Sequence, residues 1–238
     1  MYSNDFKNFV NDGVTNNYFI GTGNPNAQIL IIGKESAIYP ADFEAIKLYN
    51  SNASDWKNHI EKNTCEVLEY PVDKNNKLYK NWGKNTWSKY QKLNDFIFDK
   101  QTKSYYVDFL KTVFTTEIND SPNKSTTGAD KSELNTRKRL FKKSNFIQQF
   151  PVIVLACSDY FQNNDNIREI DNVFNVKYDG NEKGRFIFNK GNWFFTHHNK
   201  NNSKLVIHTR QLSADVKNEM LEKMGRIIKQ HLLMTKKQ

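Results

Sequence analysis

Several chemically reactive side chains follow short apolar runs of the chain, at the places where predicted strands end. The residues after these runs occupy 33–36, 108–111, 157–160 and 208–213, and they include Glu35, Asp108, Ser158, His208 and Arg210. If the runs are neighbouring parallel strands, their carboxyl ends form one crevice, and open sheets bind ligands there. Carboxylate, imidazole, guanidinium and hydroxyl groups would then meet at one edge, which suits acid–base chemistry on a polar ligand.

Four apolar runs are the elements that would position these side chains. The runs at 28–32, 151–156 and 204–207 are nearly continuous, which is typical of strands buried on both faces of a parallel sheet. A weaker run at 104–109 is bounded in the same way. Apolar residues at helical spacing predict one helix around Trp87 to Ile97 and another around Val216 to Ile228. This alternation favours an α/β fold, a three-layer α/β/α sandwich with a central, mostly parallel, four-stranded sheet.

Two further segments interrupt the alternation of strands and helices. Residues 185–188 and 193–196 flank a turn that contains Gly191, and they predict a β-hairpin inserted into the α/β pattern. Residues 117–135 are rich in Asn, Ser, Thr, Lys and Asp, and they predict a mobile surface loop. We expect the whole chain, 1–238, to form a single domain, because its length suits one α/β domain.

The charge of the chain bears on its partners. Its 35 Lys and Arg residues exceed the 26 Asp and Glu residues, and the resulting net charge of +9 attracts polyanions. Nucleic acid is therefore the leading candidate partner, although charge that serves only solubility accounts for the composition nearly as well. No apolar stretch reaches the ~20 residues that span a bilayer, so we expect a cytoplasmic protein with no membrane contact. We also expect a monomer.

The chain offers few ligands for a metal ion. Its two cysteines, Cys65 and Cys157, exclude a four-cysteine site. His197 and His198 are neighbours on a predicted strand, so their side chains would point to opposite faces, one to the core and one to the surface. We therefore expect no metal and no cofactor.

Four segments carry a family resemblance, and three of them read G-K-E-S-A at 33–37, Y-Y-V-D-F-L-K at 105–111 and H-T-R-Q-L-S at 208–213. In this order they resemble the uracil-DNA glycosylase superfamily, whose motifs are G-Q-D-P-Y-H or G-I-N-P-G, then Y-I-T-N-V-V-K, then H-P-S-P-L-S. Residues 86–92 are similar to the superfamily's first long helix, so the resemblance covers roughly 28 to the C-terminus. The chain departs from the pattern at Ser36 and Thr209, which replace prolines, and at Arg210, which replaces a serine. The cysteines of the iron-sulfur members are absent, which excludes that cluster.

The resemblance implies a DNA base-excision glycosylase that flips a damaged or deaminated base and hydrolyses its N-glycosidic bond. Glu35 would orient or deprotonate the water, and His208 would stabilise the leaving base through a hydrogen bond. The implied base-binding residues are Gly33, Lys34, Tyr39, Phe43 and Asp108. The implied contacts to the nucleic-acid backbone are Ser36, Lys111, Ser158, Thr209, Arg210 and Ser213. Ser213 would also suit the N-cap of the last helix.

Each implied role has a plainer alternative. The alternative for Glu35 is a surface carboxylate or a helix cap, and that for His208 is strand-end packing, although the motif favours the functional role for both. Tyr39 and Phe43 would serve equally as core aromatics. Asp108 stands where the resembling proteins read uracil with an Asn, and an ionised carboxylate has only acceptors. It therefore predicts weak or absent uracil excision, unless its side chain turns away to Lys111 or a backbone amide.

A basic cluster follows the predicted loop. Leu140 and Phe141 are interleaved with five basic residues, which predicts an amphipathic helix whose basic face is solvated or contacts nucleic acid. The basic residues are Arg137, Lys138, Arg139, Lys142 and Lys143. The sequence thus leaves three functions open: an active glycosylase, a catalytically silent nucleic-acid-binding protein, and a protein that binds a free nucleobase or nucleoside.

Overall fold

The computed structural model describes residues 1–62, 85–103, 106–213 and 215–235, so Cys65 and Tyr105 lie outside the described residues. Within these ranges the chain is mixed α/β, as the sequence predicts. The helices are α1 (Asn4–Asn16), α2 (Phe43–Asn50), α3 (Asn52–Glu61), α4 (Thr86–Phe98), α5 (Leu134–Lys143), α6 (Asn145–Gln148), α7 (Glu169–Phe174) and α8 (Asn218–Thr235). The strands are β1 (Thr22–Gly23), β2 (Ile29–Gly33), β3 (Val113–Glu117), β4 (Val152–Ala156), β5 (Lys177–Tyr178), β6 (Arg185–Asn189), β7 (Asn192–His198) and β8 (Leu205–Thr209).

The chain divides into two compact units, and the first comprises Met1–Tyr79 and Leu110–Gln149. In this unit 1, β3 pairs in parallel with β2 and antiparallel with β1. The core beside the strands is aromatic, since the rings of Phe6, Trp56, Phe114 and Phe146 contact one another edge to face or tilted. Large rings bury much apolar surface per residue, which lets a polar sequence build a core.

The second unit comprises Lys80–Phe109 and Phe150–Gln238. In this unit 2 the strand order is β4-β8-β7-β5, and β6 pairs with residues 192–195 of β7. β4 and β8 are parallel, whereas β7 runs antiparallel to β8. Helix α8 packs against α4 at Gly225, where an added Cβ would lie 2.6 Å from the Cβ of Phe96. Only glycine allows this close approach of the two helices.

Three of the four predicted strands are present, as β2, β4 and β8, but the strand predicted at 104–109 is wrong over its described residues, 106–109. Residues 106–108 have no regular structure, Phe109–Lys111 form a 3-10 turn, and the strand is β3. The side-chain oxygen of Gln91 accepts hydrogen bonds from the backbone N–H groups of Asp108 and Phe109, at 2.7 and 2.9 Å. Those donors are therefore not free for a sheet ladder.

The predicted hairpin is present as β6 and β7, but it is not a separate insertion. Residues 194–198 of β7 pair with β8, so the hairpin extends the sheet of unit 2. The surface loop predicted at 117–135 is also packed where it begins, because Ile118 and Asn119 are buried. Among the described helices, none combines the length and apolar character needed to cross a membrane.

Candidate functional site

Two loops follow the parallel strands of unit 1, and backbone hydrogen bonds join them. The N–H groups of Ile118 and Asn119 donate to the carbonyl oxygens of Gly33 and Lys34, at 3.0 and 2.9 Å, and the N–H of Asn123 donates to Ser36 at 3.0 Å. The loop after β2 thus takes its shape from the loop after β3. Residues 33–36, which carry the first motif, are therefore held by backbone contacts rather than left free.

Two carboxylates lie on these joined loops. Oε1 of Glu35 accepts a hydrogen bond of 2.8 Å from the hydroxyl of Thr126. Glu117 accepts from the buried Ser36 hydroxyl at 2.7 Å and from the Tyr49 hydroxyl at 3.1 Å. Burial and the neighbouring Glu117 carboxylate raise the pKa of Tyr49 well above its usual value, so Tyr49 remains a donor at neutral pH. The buried Ser36 hydroxyl therefore links the loop after β2 to Glu117 at the end of β3.

Two aromatic rings on the segment after β2 are exposed. Tyr39 is 57% exposed and Phe43, the first residue of α2, is 79% exposed. The ammonium group of Lys124 lies 4.6 Å from the centre of the Tyr39 ring. Neither ring is therefore a core aromatic, which is the alternative that the sequence left open for both.

The basic cluster forms helix α5 as expected, but one of its cations is in the core. Arg137 is 1% exposed, and its guanidinium donates to the carbonyl oxygens of Phe19 and Glu117 and to the Thr116 hydroxyl. Lys138 is also largely buried, whereas Arg139, Lys142 and Lys143 are exposed. Burial lowers the pKa of Arg137, yet nearby Asp120, Tyr49 and Glu117 oppose that shift. Arg137 is a structural cation and does not belong to a solvated face.

In unit 2, His208 is buried on β8 against two aromatic rings. Its ring lies 5.3 Å from the ring centre of Trp193 and 6.1 Å from that of Phe195. Nε2 lies 2.8 Å from the carbonyl oxygen of Ser158, a residue in the left-handed region with φ of 53°. Burial lowers the pKa of His208 to about 4, so the imidazole is neutral at pH 7.

The neutral imidazole of His208 has one N–H group, and its position follows from the contact with Ser158. A carbonyl oxygen only accepts, so Nε2 carries the proton and donates it. Nδ1 is then an acceptor, buried and without a hydrogen-bond partner among the described residues. The N–H group of His208 is therefore bonded within the protein, and its other ring nitrogen is buried.

The residues after His208 are also tied to the protein. The Thr209 hydroxyl donates to the carbonyl oxygen of Trp193 at 2.6 Å, and Nη1 of Arg210 donates to that of Gly191 at 2.8 Å. Ser213 was expected to cap the last helix, but α8 begins at Asn218, and Ser213 instead accepts the N–H of Val216 in a turn. The carbonyl and not the hydroxyl of Ser213 makes this contact.

The remaining predicted residues are Asp108 and Lys111. The carboxylate of Asp108 accepts from the amide of Gln91 at 2.8 Å and from the ammonium of Lys100 at 3.0 Å. Lys100 is therefore an ion-pair partner of Asp108, whereas the partner considered from the sequence was Lys111. Lys111 ends the 3-10 turn with an exposed side chain, and its carbonyl oxygen accepts from Asn24.

The first motif lies within unit 1 and the His208 motif within unit 2, whereas the segment 105–111 is divided between the units at Phe109 and Leu110. Gly33, Lys34, Glu35 and Ser36 share one loop, and Ser158 contacts His208 directly. Sequence reasoning missed the contacts of Glu117 and Thr126, which lie between the motifs, and of Gln91, which lies within 86–92. These residues become partners only through the fold. His197 and His198 behave as expected, since His197 is buried and His198 is partly exposed. Comparison of the chain with protein-family models and with curated proteins found no match.

Proposed function

We propose that this protein binds nucleic acid by stacking unpaired bases on Tyr39 and Phe43. In this proposal the chain is a single domain with the three-layer α/β/α fold of the uracil-DNA glycosylase superfamily, and DNA is the partner. The observation that carries the proposal is the exposure of both rings, 57% and 79%, within five residues of one another. Stacking a water-exposed ring on a base lowers the free energy of the complex, and it does so for any base sequence.

The charge beside the rings supports the same proposal. Lys124 already makes a cation–π contact with Tyr39, and Lys34 and Lys47 lie on the same loop and helix as the two rings. Lysines beside stacking rings are a common arrangement in proteins that bind single strands, because they attract the phosphate backbone while the rings hold the bases. The net charge of +9 acts in the same direction.

The state of His208 favours binding over excision. A glycosylase of this type would use the imidazole as a donor to the leaving base. In this protein the single N–H of the neutral ring is directed to the Ser158 carbonyl, and the other nitrogen is buried. Donating to a base would require His208 to leave that contact.

Base excision is the second candidate function, and the contact of Glu35 favours it. The Thr126 hydroxyl fixes Oε1 of Glu35 at the carboxyl end of β2, where the carboxylate would orient a water molecule or stabilise a cationic sugar. The carboxylate of Asp108 contacts Gln91 and Lys100, so the choice of base would fall to other residues. The two candidate functions share the rings but differ in whether a bond is broken.

Fluorescence anisotropy with a labelled single-stranded oligothymidylate tests the binding proposal. We expect Tyr39→Ala and Phe43→Ala each to weaken binding about tenfold, the loss of one stacked base. Tyr106→Ala is the matched control, because Tyr106 is 50% exposed but lies outside the segment. If Tyr39→Ala and Phe43→Ala bind as tightly as the Tyr106 variant, the rings are not the platform.

A separate assay distinguishes excision from binding. Oligonucleotides that carry uracil, hypoxanthine, xanthine or a mismatch are incubated with the protein, and alkali then cleaves any abasic site. We expect bound but uncleaved DNA. Abasic sites formed by the wild type and not by Glu35→Gln would establish the second candidate function instead.

A further inference from the structure

A polar pocket lies in unit 2, apart from the residues of the three motifs. Its volume is about 190 Å³, and its walls include Asn164, Arg168, Tyr178, Asn181 and Arg185. The guanidinium of Arg168 lies over the Tyr178 ring, 4.6 Å from its centre. The Tyr178 hydroxyl donates to Oδ1 of Asn181 at 3.0 Å. The walls also include Asn163, Asp165 and Phe195, so the pocket has two guanidinium groups, three amides and one carboxylate around two aromatic rings.

The hydrogen-bonding capacity left in this pocket is mainly that of donors. Oδ1 of Asn164 accepts from the backbone of Asn166 and Ile167, and Oδ1 of Asn181 accepts from Tyr178, so each amide offers its NH₂ group. The side chain of Arg185 is exposed, and no hydrogen bond or ion pair joins its guanidinium to the described residues. Arg168 already pairs with the carboxylate of Asp165 at 3.0 Å. The guanidinium of Arg185 is therefore the positive charge of the pocket that lacks an acidic partner among the described residues, and it presents a fork of N–H donors.

Buried contacts hold the pocket in this shape. His197, which is fully buried, contacts Asp171 through Nδ1 at 2.6 Å and Nδ2 of Asn163 through Nε2 at 3.3 Å. Oδ1 of Asn163 in turn accepts from Nη1 of Arg168 at 3.3 Å. A chain of contacts thus runs from Asp171 to the guanidinium of Arg168. Such support fixes a binding group in advance and lowers the entropy lost when a ligand binds.

The pocket lies on the same face of the sheet as His208. Arg185 of β6 is paired with Phe195 of β7, and Phe195 is paired with His208 of β8. Residues that are directly paired across antiparallel strands project from the same face, so these three side chains form one row. Phe195 is both a wall of the pocket and a contact of His208. A ligand in the pocket is therefore one ring away from the His208 motif.

We propose that this pocket binds a phosphoryl group, held by Arg185 and Arg168 and by the amides of Asn164 and Asn181. A guanidinium fork together with amide donors from other directions matches an anion with three or more oxygens. The source of the phosphoryl group is either a nucleotide, with a terminal phosphate, or the backbone of a nucleic acid. The site is in unit 2 and does not depend on base stacking at Tyr39 and Phe43.

Isothermal titration calorimetry on the full chain tests this site with inorganic phosphate, thymidine and thymidine 5′-monophosphate. We expect the monophosphate to bind at least tenfold more tightly than thymidine, and Arg185→Gln to abolish that difference. Arg185→Lys keeps the charge but loses the fork, so an intermediate affinity is expected. Lys190→Gln is the control, because it removes one exposed positive charge from the hairpin turn outside the pocket.

Oligothymidylates with and without a 5′-phosphate then identify the source. If only the phosphorylated strand loses affinity in Arg185→Gln, the pocket takes a terminal phosphate, and if both strands lose affinity, it takes a backbone phosphate. The proposal is overturned if the monophosphate binds no better than thymidine, or if Arg185→Gln and Lys190→Gln have equal effects. Tyr39→Ala should leave binding of inorganic phosphate unchanged, so a failure of the stacking proposal is recognised separately.

Discussion

Nε2 of His208 lies 2.8 Å from the carbonyl oxygen of Ser158, two residues that are 50 positions apart in the chain. The contact joins the end of β8 to the turn that follows β4 in unit 2. It fixes which nitrogen of the imidazole carries the proton, and the surrounding burial keeps the ring neutral. The motif histidine is thereby part of the framework of the sheet.

This burial makes the stability of the protein depend on pH. The pKa of His208 is about 4 in the folded protein against an ordinary value of 6.5, so below pH 6.5 the unfolded chain binds a proton that the folded chain does not. The contribution of the neutral His208 to stability is therefore fully present above pH 6.5 and is lost as the pH falls toward 4. Between pH 7.5 and 4.5 we expect His208 to contribute a loss of about 2–3 kcal/mol.

Urea unfolding of the wild type and His208→Gln at these two pH values measures that contribution. The pH-dependent part of the free energy of unfolding should be smaller in the variant by the stated amount. The pKa values of His59 and His231 are also lowered by burial, but both residues are present in both proteins, so their contribution cancels. An identical pH dependence in the two proteins would contradict the neutral, buried imidazole.

Arg137 should be the most sensitive cation of helix α5. Arg137→Met leaves the carbonyl oxygens of Phe19 and Glu117 without this donor in the core, and we expect a loss of about 3 kcal/mol in the free energy of unfolding. Arg139→Gln, an exposed change on the same helix, should cost less than about 0.5 kcal/mol. Chemical denaturation of both variants compares the two, and equal small losses would place Arg137 on a solvated face after all.

Apolar patterning was sufficient to predict β2, β4 and β8, because strands buried on both faces leave a continuous apolar run in the sequence. The same reasoning failed at 104–109, where the run of rings and aliphatic residues belongs partly to a turn. The deciding contact is the side chain of Gln91, which takes the backbone donors of Asp108 and Phe109. A glutamine in the middle of a helix gives no sign of such a contact in the sequence.

The candidate sites show the same limit. The sequence located Tyr39, Phe43 and the loop of Glu35, but it did not predict which rings would be exposed. Arg137 was indistinguishable from its basic neighbours, since its acceptor on Phe19 is 118 positions away. The phosphoryl pocket was not predicted at all, because Arg168, Tyr178 and Arg185 come from separate segments with no shared spacing. Long-range partners, rather than local propensity, decided each of these cases.

Another prediction concerns Arg210, which the family resemblance assigns to phosphate contact. Its Nη1 donates to the Gly191 carbonyl at 2.8 Å, so the guanidinium is anchored to the hairpin turn. We therefore expect Arg210→Ala to leave the salt dependence of oligothymidylate binding unchanged. A logarithmic slope that falls by about 0.7, the value for one lost contact on a single strand, would return Arg210 to the phosphate contacts.

The last prediction concerns Asp108, which stands where the resembling proteins read uracil with an asparagine. Its carboxylate is occupied by Gln91 and Lys100, and its side chain is only 15% exposed. A group that is already paired gains little by turning to a base, because it would first have to leave two donors. We expect Asp108→Ala to lower the free energy of unfolding by about 1–2 kcal/mol without changing the relative affinity for uracil and thymine oligonucleotides.

Asp108→Asn sharpens this test, because it restores the amide that would match the edge of uracil. An asparagine at this position can still accept from Gln91 through Oδ1, so we expect it to stay in the same contact and to confer no preference for uracil. Competition between uracil and thymine strands for the wild type and both variants measures the preference. If Asp108→Asn selects or releases uracil while Asp108→Ala does not, the side chain at 108 faces the base, and the contact with Gln91 is not what determines its role.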